Sequence, residues 1–365
     1  MPGRTGPSPD LTGRKKEQQG RGSTMLSYFL RRMLLIIPTF LGITLLVFTI
    51  TRFVPGGPVE RMLLQAQVSQ NESGRSSGSK GAQALSDEQI EELKAFYGLD
   101  KPMLVAYWEW LQKLAVLDLG ESTRYYEPVW DLIKERLPVT AFFGLATFLL
   151  SYAVSIPLGV AKALRHNSRF DSLSSMLIYM AYALPAYVVG IFLITVFAFH
   201  LEWLPMGGFP GDDFENMESS WDLIRTVFAH ALLPLIAYAI GDFAILTMTM
   251  KNSLMENLSA DYVRTAVAKG LPFRKAVTDH AMRNSLIPIA SHLGSVLTVF
   301  FGGSFLIETI FNIDGIGLLG YEAIVERDYP TVMGILAITS MLMLIGNIVS
   351  DICVALVDPR VRFGD

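Results

Sequence analysis

Charge-free apolar stretches recur along the chain. They run from Met33 to Thr51, Leu137 to Ala161, Ser172 to Leu201, Thr226 to Met250 (interrupted only by Asp242), Asn284 to Ile307 and Thr331 to Ser350. Each approaches or exceeds the roughly 18 to 20 apolar residues that a helix needs to cross a hydrocarbon core of about 30 Å. A membrane-crossing sheet would instead show segments of about ten residues alternating apolar and polar positions, and these runs do not alternate. The pattern predicts an all-α membrane protein with six transmembrane helices. Composition agrees: 51% of residues are apolar and 18% charged, with a mean hydropathy of +0.38, where an ordinary soluble domain is about a quarter charged. That excludes a disordered chain and disfavours a soluble enzyme.

Charge then orients the spans, because cytoplasmic connections collect Lys and Arg. Arg4, Arg14, Lys15, Lys16, Arg21, Arg31 and Arg32 precede the first span. Lys162, Arg165 and Arg169 follow the second, and Lys251, Arg264, Lys269, Arg274, Lys275 and Arg283 follow the fourth. Residues 202–224 carry only acids, and the fifth connection sets Arg327 against Glu308, Asp314, Glu322, Glu326 and Asp328. Both termini are therefore expected in the cytoplasm, and the net charge of −4 conceals basic inner and acidic outer loops. No nucleic-acid surface is indicated.

Residues 1–24 are polar, lack the apolar region of a signal peptide and read as a disordered tail; Met25, where the apolar pattern begins, is a candidate start. Residues 25–51 then hold the cytoplasmic start and the first span. The external connection 52–136 opens on the turn signal Pro55-Gly56-Gly57-Pro58 and passes through a Ser/Gly/Gln-rich stretch. It then predicts a short helix with a Ser86/Gln89 capping box and a second amphipathic helix at about 103–117. The Tyr107, Trp108 and Trp110 aromatics of that second helix suit either the membrane boundary or packing against the first. Residues 137–358 form the remaining five-span core, and 359–365 a cytoplasmic C-terminal tail. Pro157, Pro185, Pro234 and Pro288 are candidate kinks.

Chemistry is sparse. Cys353 is the sole cysteine and reads as a small buried hydrophobe, the five histidines show no metal-ligand spacing, and no G-x-x-x-x-G-K-[ST] phosphate loop occurs. The cytoplasmic connection 251–285 is the informative segment. It is helical by period through Leu254, Leu258, Tyr262 and Ala266, breaks at Gly270 before Pro272, and resumes from Arg274. Small side chains at Ala266, Ala268 and Gly270 permit close approach by another protein, and Arg264, Lys269, Arg274 and Lys275 add charged contacts. An amphipathic helix lying on lipid headgroups is the plainer reading, but it would not need that break.

The run from Asp261 to Leu271, with His280-Ala281-Met282-Arg283-Asn284-Ser285-Leu286-Ile287-Pro288 after it, resembles the cytoplasmic "EAA" loop of binding-protein-dependent ABC importer permeases, in the version of the peptide/nickel subfamily. The general pattern's leading Glu-Ala is replaced by Arg264-Thr265, as in that subfamily, while Ala266 and Gly270 match. Tyr28 to Arg32, Ile37-Pro38-Thr39, Leu117 to Ser122, Trp203-Leu204-Pro205, Asp314 to Gly317, Arg327 to Pro330 and Asp358-Pro359-Arg360 are similar to further landmarks. The Gly317 to Ala323 run is most similar to the first permease subunit of microcin C/peptide importers. The resemblance implies a type I importer-like fold and a transport subunit without its own ATPase site or cofactor, in the bacterial inner membrane. It further implies a second permease as heterodimer partner, ABC ATPase subunits or one fused ATPase that bind the ATP, an external substrate-binding protein, and membrane lipids around the spans. It makes the segment holding Tyr262, Arg264, Ala266, Ala268, Lys269, Gly270, Arg274 and His280 a coupling loop for the ATPase.

The rival is a secondary transporter driven by an ion gradient, which would place paired ionisable groups near the bilayer midplane. The spans offer only Asp242, His230 and His292, with Asp351 near the end of the last. A membrane enzyme would need a nucleophile with a base or a metal cluster in the spans, and neither is present in the sequence pattern. Candidate pathway residues are Tyr182 and Tyr187 beside Pro185, Asp242, Ser304 after Gly302-Gly303, and Glu308, the last as a partner for a cationic substrate or the binding protein.

Overall fold

A computed structural model describes residues 11–53, 91, 100–211, 214–292 and 303–357. Helices account for the regular structure, and no strand occurs among the described residues. Helix α1 runs Leu11–Phe53, beginning inside the segment read as a tail, and its membrane-length apolar part is Leu30–Phe53. Three more helices are long and apolar enough to cross: α3, Val129–Leu164; α6, Ser220–Ser259; and α13, Tyr329–Val357, whose span portion is Tyr329–Cys353. Helix α2, Met103–Ala115, precedes α3.

The third apolar run is not one straight helix. It is α4, Arg169–Ala183, and α5, Ala186–Leu193, the latter continued by a π-helical turn Ile194–His200, with a bend of 99° between the two arms. Leu184 adopts an extended backbone at ψ 131°, the conformation favoured before proline, and Pro185 opens the second arm. The other candidate kinks behave differently: Pro157 and Pro234 lie inside continuous α3 and α6, and Pro288 begins a short helix. The fifth run is likewise in pieces. Beyond α6 come α7, Asp261–Ala268; α8, Phe273–Ala276; a π-helical turn Val277–Ala281; α9, Met282–Ser285; and α10, Ile287–Ser291. After the segment 293–302, outside the described residues, follow α11, Phe305–Ile310, and α12, Ile316–Val325. The turn at Pro55 and the helix after Ser86 also lie outside the described residues. Among the described residues, four helices are long and apolar enough to cross a membrane, and the bent α4–α5 pair makes five if it is one span.

Helices α3 and α6 form the central pair. Gly159 lets them approach: a Cβ there would sit 2.8 Å from the Thr247 carbonyl oxygen and 2.7 Å from Met250 Cβ. One apolar core, around Phe143, Val189, Leu193, Ala237 and Phe311, joins α3, α5, α6 and α11; a second, around Met250, Leu254, Val263, Ala276 and Ala281, joins α6 to the segment that follows it. Helix α1 packs on α13, and Arg32 pairs with Asp351, so the start of the first span and the end of the last lie together. Two of the α2 aromatics, Tyr107 and Trp110, meet the first span, a partner neither expectation named. Tyr107 shares a hydrogen bond with Thr44 at 2.8 Å and donates to the Leu41 carbonyl at 3.0 Å, and Phe48 packs edge-on against the Tyr107 ring. Helix α2 therefore lies along the first span, with Trp108 turned outward.

Candidate functional site

Two assemblies, one at the Ser259 end of α6 and one against its middle at Tyr238, carry much of the polar structure. At the end reached by Ser259, an extended residue, Ala260 (ψ 147°), turns the chain into α7. Helix α7 closes with both hydrogen bonds of a Schellman motif: Gly270 N–H donates to Val267 O at 2.9 Å and Leu271 N–H to Ala266 O at 3.1 Å. Gly270 stands at φ +91°, with open space where a Cβ would point, so the glycine serves the left-handed backbone, not a tight contact. Pro272 then restricts the chain on the far side of the turn, leading into α8 at φ −55°.

Beneath this turn, Val263, Ala276, Val277 and Ala281 are buried against Met250 and Leu254, with Leu271 packed on them. Above it, Tyr262, Arg264, Val267, Ala268, Lys269, Gly270, Phe273, Arg274, Lys275 and His280 are exposed and Ala266 is half-buried. The Tyr262 hydroxyl donates to Asn257 Oδ1 at 2.6 Å and accepts from Asn284 Nδ2 at 3.1 Å, tying α6, α7 and α9. The result is a basic and apolar surface on a rigid apolar base.

Next to it lies a buried ionic cluster. Lys251 on α6 places Nζ 2.7 and 2.8 Å from the two Asp171 carboxylate oxygens, and Lys162 at the end of α3 lies 3.2 Å from Oδ1. Lys162 is fully buried and donates also to the Asp171 carbonyl at 3.1 Å, Ser174 Oγ at 2.7 Å and Ser175 Oγ at 2.8 Å. His166 Nδ1 approaches Asp171 at 3.3 Å. Asp171 sits in the first turn of α4, whose cap is Ser168, where the helix dipole also favours an anion. One carboxylate thus clasps α3, α4 and α6 at the base of the α7 turn.

In the second assembly, Glu308 on α11 is 1% exposed. Its carboxylate accepts from Ser304 N–H and the Tyr238 hydroxyl, each at 3.2 Å, and from Leu318 N–H at 2.5 Å in the first turn of α12. Gly303, Gly315 and Gly317 line the cradle, since a Cβ at any of them would come within 3.0 Å of a Glu308 carboxylate oxygen. Nearby, buried Asp328 accepts from Ser122 Oγ, Thr123 N–H at 3.0 Å and Thr331 Oγ1 at 2.7 Å, binding the loop before α3 to the start of α13. An open cavity of about 410 Å³ lies between these loops, walled by Arg124, Tyr125, Phe209, Asn312, Asp314 and Glu322. Arg124 pairs with Glu322 at 2.8 Å, and Arg136 with Asp314 at 2.7 Å. Burial, and then donation to Glu322, raise the Tyr125 phenol above its ordinary pKa, so it stays a donor at neutral pH.

Comparison with known proteins decides the family. A model described as "Binding-protein-dependent transport system inner membrane component" matches residues 155–363. The chain is 40% identical over 360 residues to the peptidoglycan transport system permease protein YejB of Agrobacterium fabrum, covering 93% of this chain and 99% of that one. It is 39% identical over 362 residues to the inner membrane ABC transporter permease protein YejB of Escherichia coli O157:H7, covering 93% and 99%. It is 34% identical over 340 residues to the oligopeptide transport system permease protein AppB of Bacillus subtilis, covering 93% and 100%. The chain belongs to this binding-protein-dependent permease family. It is a multi-pass inner-membrane permease subunit of an ABC importer, and members of its family are permease subunits, not enzymes.

Within the permease, the eight coupling-loop residues named from the sequence all fall on the α7 to α9 segment. The pathway candidates scatter. Tyr182 and Tyr187 are exposed on the two arms of the bend at Pro185, and Asp242 is exposed on α6, one turn below Tyr238. Ser304 and Glu308 do come together, but in the enclosed cradle: Glu308 offers no free surface to a cation in this conformation, because its oxygens are spent on backbone and Tyr238 donors. Sequence reasoning missed the clasp altogether. Lys162 and Lys251 counted only as inner-loop charge, although an acid, Asp171, inside a basic connection was the available signal. Among the described residues, no three His, Cys, Asp or Glu side chains gather as a metal site.

Proposed function

We propose that this permease forms, with a second and similar permease, the translocation pathway for peptides or peptide-like compounds handed over by an external binding protein, with ATP hydrolysed on a partner ATPase. In this reading the chain has six spans, the sixth being the fifth apolar run around residues 284–307, with both termini in the cytoplasm and the 52–136 connection outside. Peptide cargo is supported by relatives named for oligopeptide and dipeptide transport. A microcin-type peptide is a narrower form of the same proposal.

One observation carries the coupling: an exposed basic and apolar surface on α7 and α8, seated on a buried apolar base that is continuous with α6 and bolted to α3 and α4 by Asp171. A push on that surface reaches the spans through these packed side chains and the Asp171 clasp. Closure of the ATPase therefore rocks the helices between two openings, a two-state equilibrium biased by a ligand on another subunit. The test is a double charge inversion, Arg264→Glu with Lys269→Glu, in the assembled importer. Uptake is expected to fall with the protein still in the membrane and with ATPase activity no longer stimulated by loaded binding protein; unimpaired stimulation and uptake would sink the coupling reading.

A further inference from the structure

Helix α6 carries a stripe that changes character halfway down. At 100° per residue, Asp242, Ile245, Thr249, Asn252 and Glu256 fall within about 80° of arc. Asp242, Ile245, Asn252 and Glu256 are exposed and Thr249 half-buried. Directly above Asp242 the same stripe closes: Tyr238 packs against Phe143 and donates to Glu308, and Ala231 is buried. The exposed part is polar toward Ser259, and Asp242 stands at its blind upper end, roughly 12 Å of helix from the end of the apolar run at Met250. Gly241 beside it leaves open space where a Cβ would point, and His292 and Tyr152 lie within electrostatic reach.

A carboxylate at this depth cannot face lipid without heavy cost. Thr and Asn also bond across helix seams, and Ile245 stands among them, but the charge of Asp242 inside the apolar run calls for a charged partner or water. The stripe fits one wall of a hydrated cleft open toward the α7 end, with the Tyr238–Glu308 contact at its upper limit. From this geometry we infer that Asp242 is a cargo-binding residue, receiving the protonated amino group of a peptide in transit at the ceiling of that cleft. The inference rests on the peptide reading above. Charge complementarity selects the occupant: the ceiling presents an anion, and a peptide arriving amino end first presents a cation that would otherwise lose its hydration unpaired.

The test uses the complete importer in vesicles with its binding protein and trialanine as probe. Asp242→Asn is expected to lower ATP-dependent uptake about tenfold, the loss of one hydrogen bond between charged groups, with unchanged co-purification of the partner subunits, and Asp242→Glu to recover most of it. In a Cys353→Ser background, Asp242→Cys is expected to react with a membrane-impermeant cationic thiol reagent offered from the cytoplasmic side, and trialanine to protect it better than N-acetyl-trialanine. Absence of labelling, equal protection by the two peptides, or loss of subunit assembly in Asp242→Asn would overturn the inference, the last by assigning Asp242 to the second permease. Failure of the unaltered importer to take up trialanine overturns the peptide reading and this inference together. Normal uptake with an unaffected Asp242→Asn overturns this inference alone.

Discussion

Replacing Asp171 by Asn changes one oxygen for a nitrogen and leaves the shape of the clasp intact, so its consequence is almost purely electrostatic. Lys162 has no exposed surface and Lys251 only 7%. With the carboxylate gone, two ammonium groups remain buried side by side. Lys162 keeps its bonds to Ser174, Ser175 and the backbone carbonyl of position 171, but the bonds of Lys251 in the cluster all run to the carboxylate. Removing one partner of a buried ion pair costs about 3 to 5 kcal/mol, whereas replacing the whole group by apolar side chains of similar volume is often close to neutral. Asp171→Asn is therefore expected to destabilise the purified permease by about 3 to 5 kcal/mol, read as a lowered denaturation midpoint in detergent by tryptophan fluorescence. Lys162→Met and Lys251→Met added to it are expected to restore most of that loss while leaving transport impaired, because the clasp would hold by packing without its directional bonds. A single-variant effect below about 1 kcal/mol, the range of exposed ion pairs, would refute the reasoning.

Other outcomes follow from single contacts. Gly270→Val forces a β-branched side chain into a left-handed backbone, at about 1 to 2 kcal/mol; since nothing blocks the side chain, the protein should accumulate normally and lose coupled uptake, and intact transport would contradict the role given to the turn. Glu308→Ala orphans the Leu318 amide and takes away the acceptor of the Tyr238 hydroxyl, each at about 1 to 3 kcal/mol when buried, while the Ser304 amide keeps the Tyr238 oxygen at 3.2 Å. Proteolysis from the outer side should then cut the α11–α12 loops faster than in the parent protein, and equal cutting rates would argue that the cradle is dispensable. Gly159→Val drives atoms into the Thr247 carbonyl and Met250, so membrane levels of the protein should fall sharply, whereas Gly42→Val, on a glycine with nothing within 4 Å, should be tolerated.

Four of the six expected spans, and a further one as a bent pair, were legible because the bilayer imposes a length of apolar sequence that few other constraints mimic. The turn at Gly270 was legible because a left-handed C-cap favours glycine and a following proline stops the helix, both local rules. The bend at Pro185 was not decidable from proline alone: Pro157 and Pro234 have the same chemistry and sit inside unbroken helices. The clasp was invisible for another reason. Lys162, Asp171 and Lys251 meet only after α3, α4 and α6 pack, so their charges read as loop decoration. Glu308 was misread as a free acid on the pathway for a related reason. Whether a carboxylate near a span end is open or enclosed depends on glycines seven and nine positions away, Gly315 and Gly317, folding back over it. Asp242 was flagged by a rule that survives packing, that a charge inside an apolar run needs a partner or water.

Transport through this chain is expected to draw its energy from ATP on a partner and its cargo from an external binding protein. The most direct measurement is uptake of a labelled peptide into vesicles holding the chain with its partner permease and ATPase, with ATP and binding protein omitted in turn. Uptake only when both are supplied is the expected result. Uptake by this chain alone, driven by a proton or sodium gradient without ATP, would contradict it.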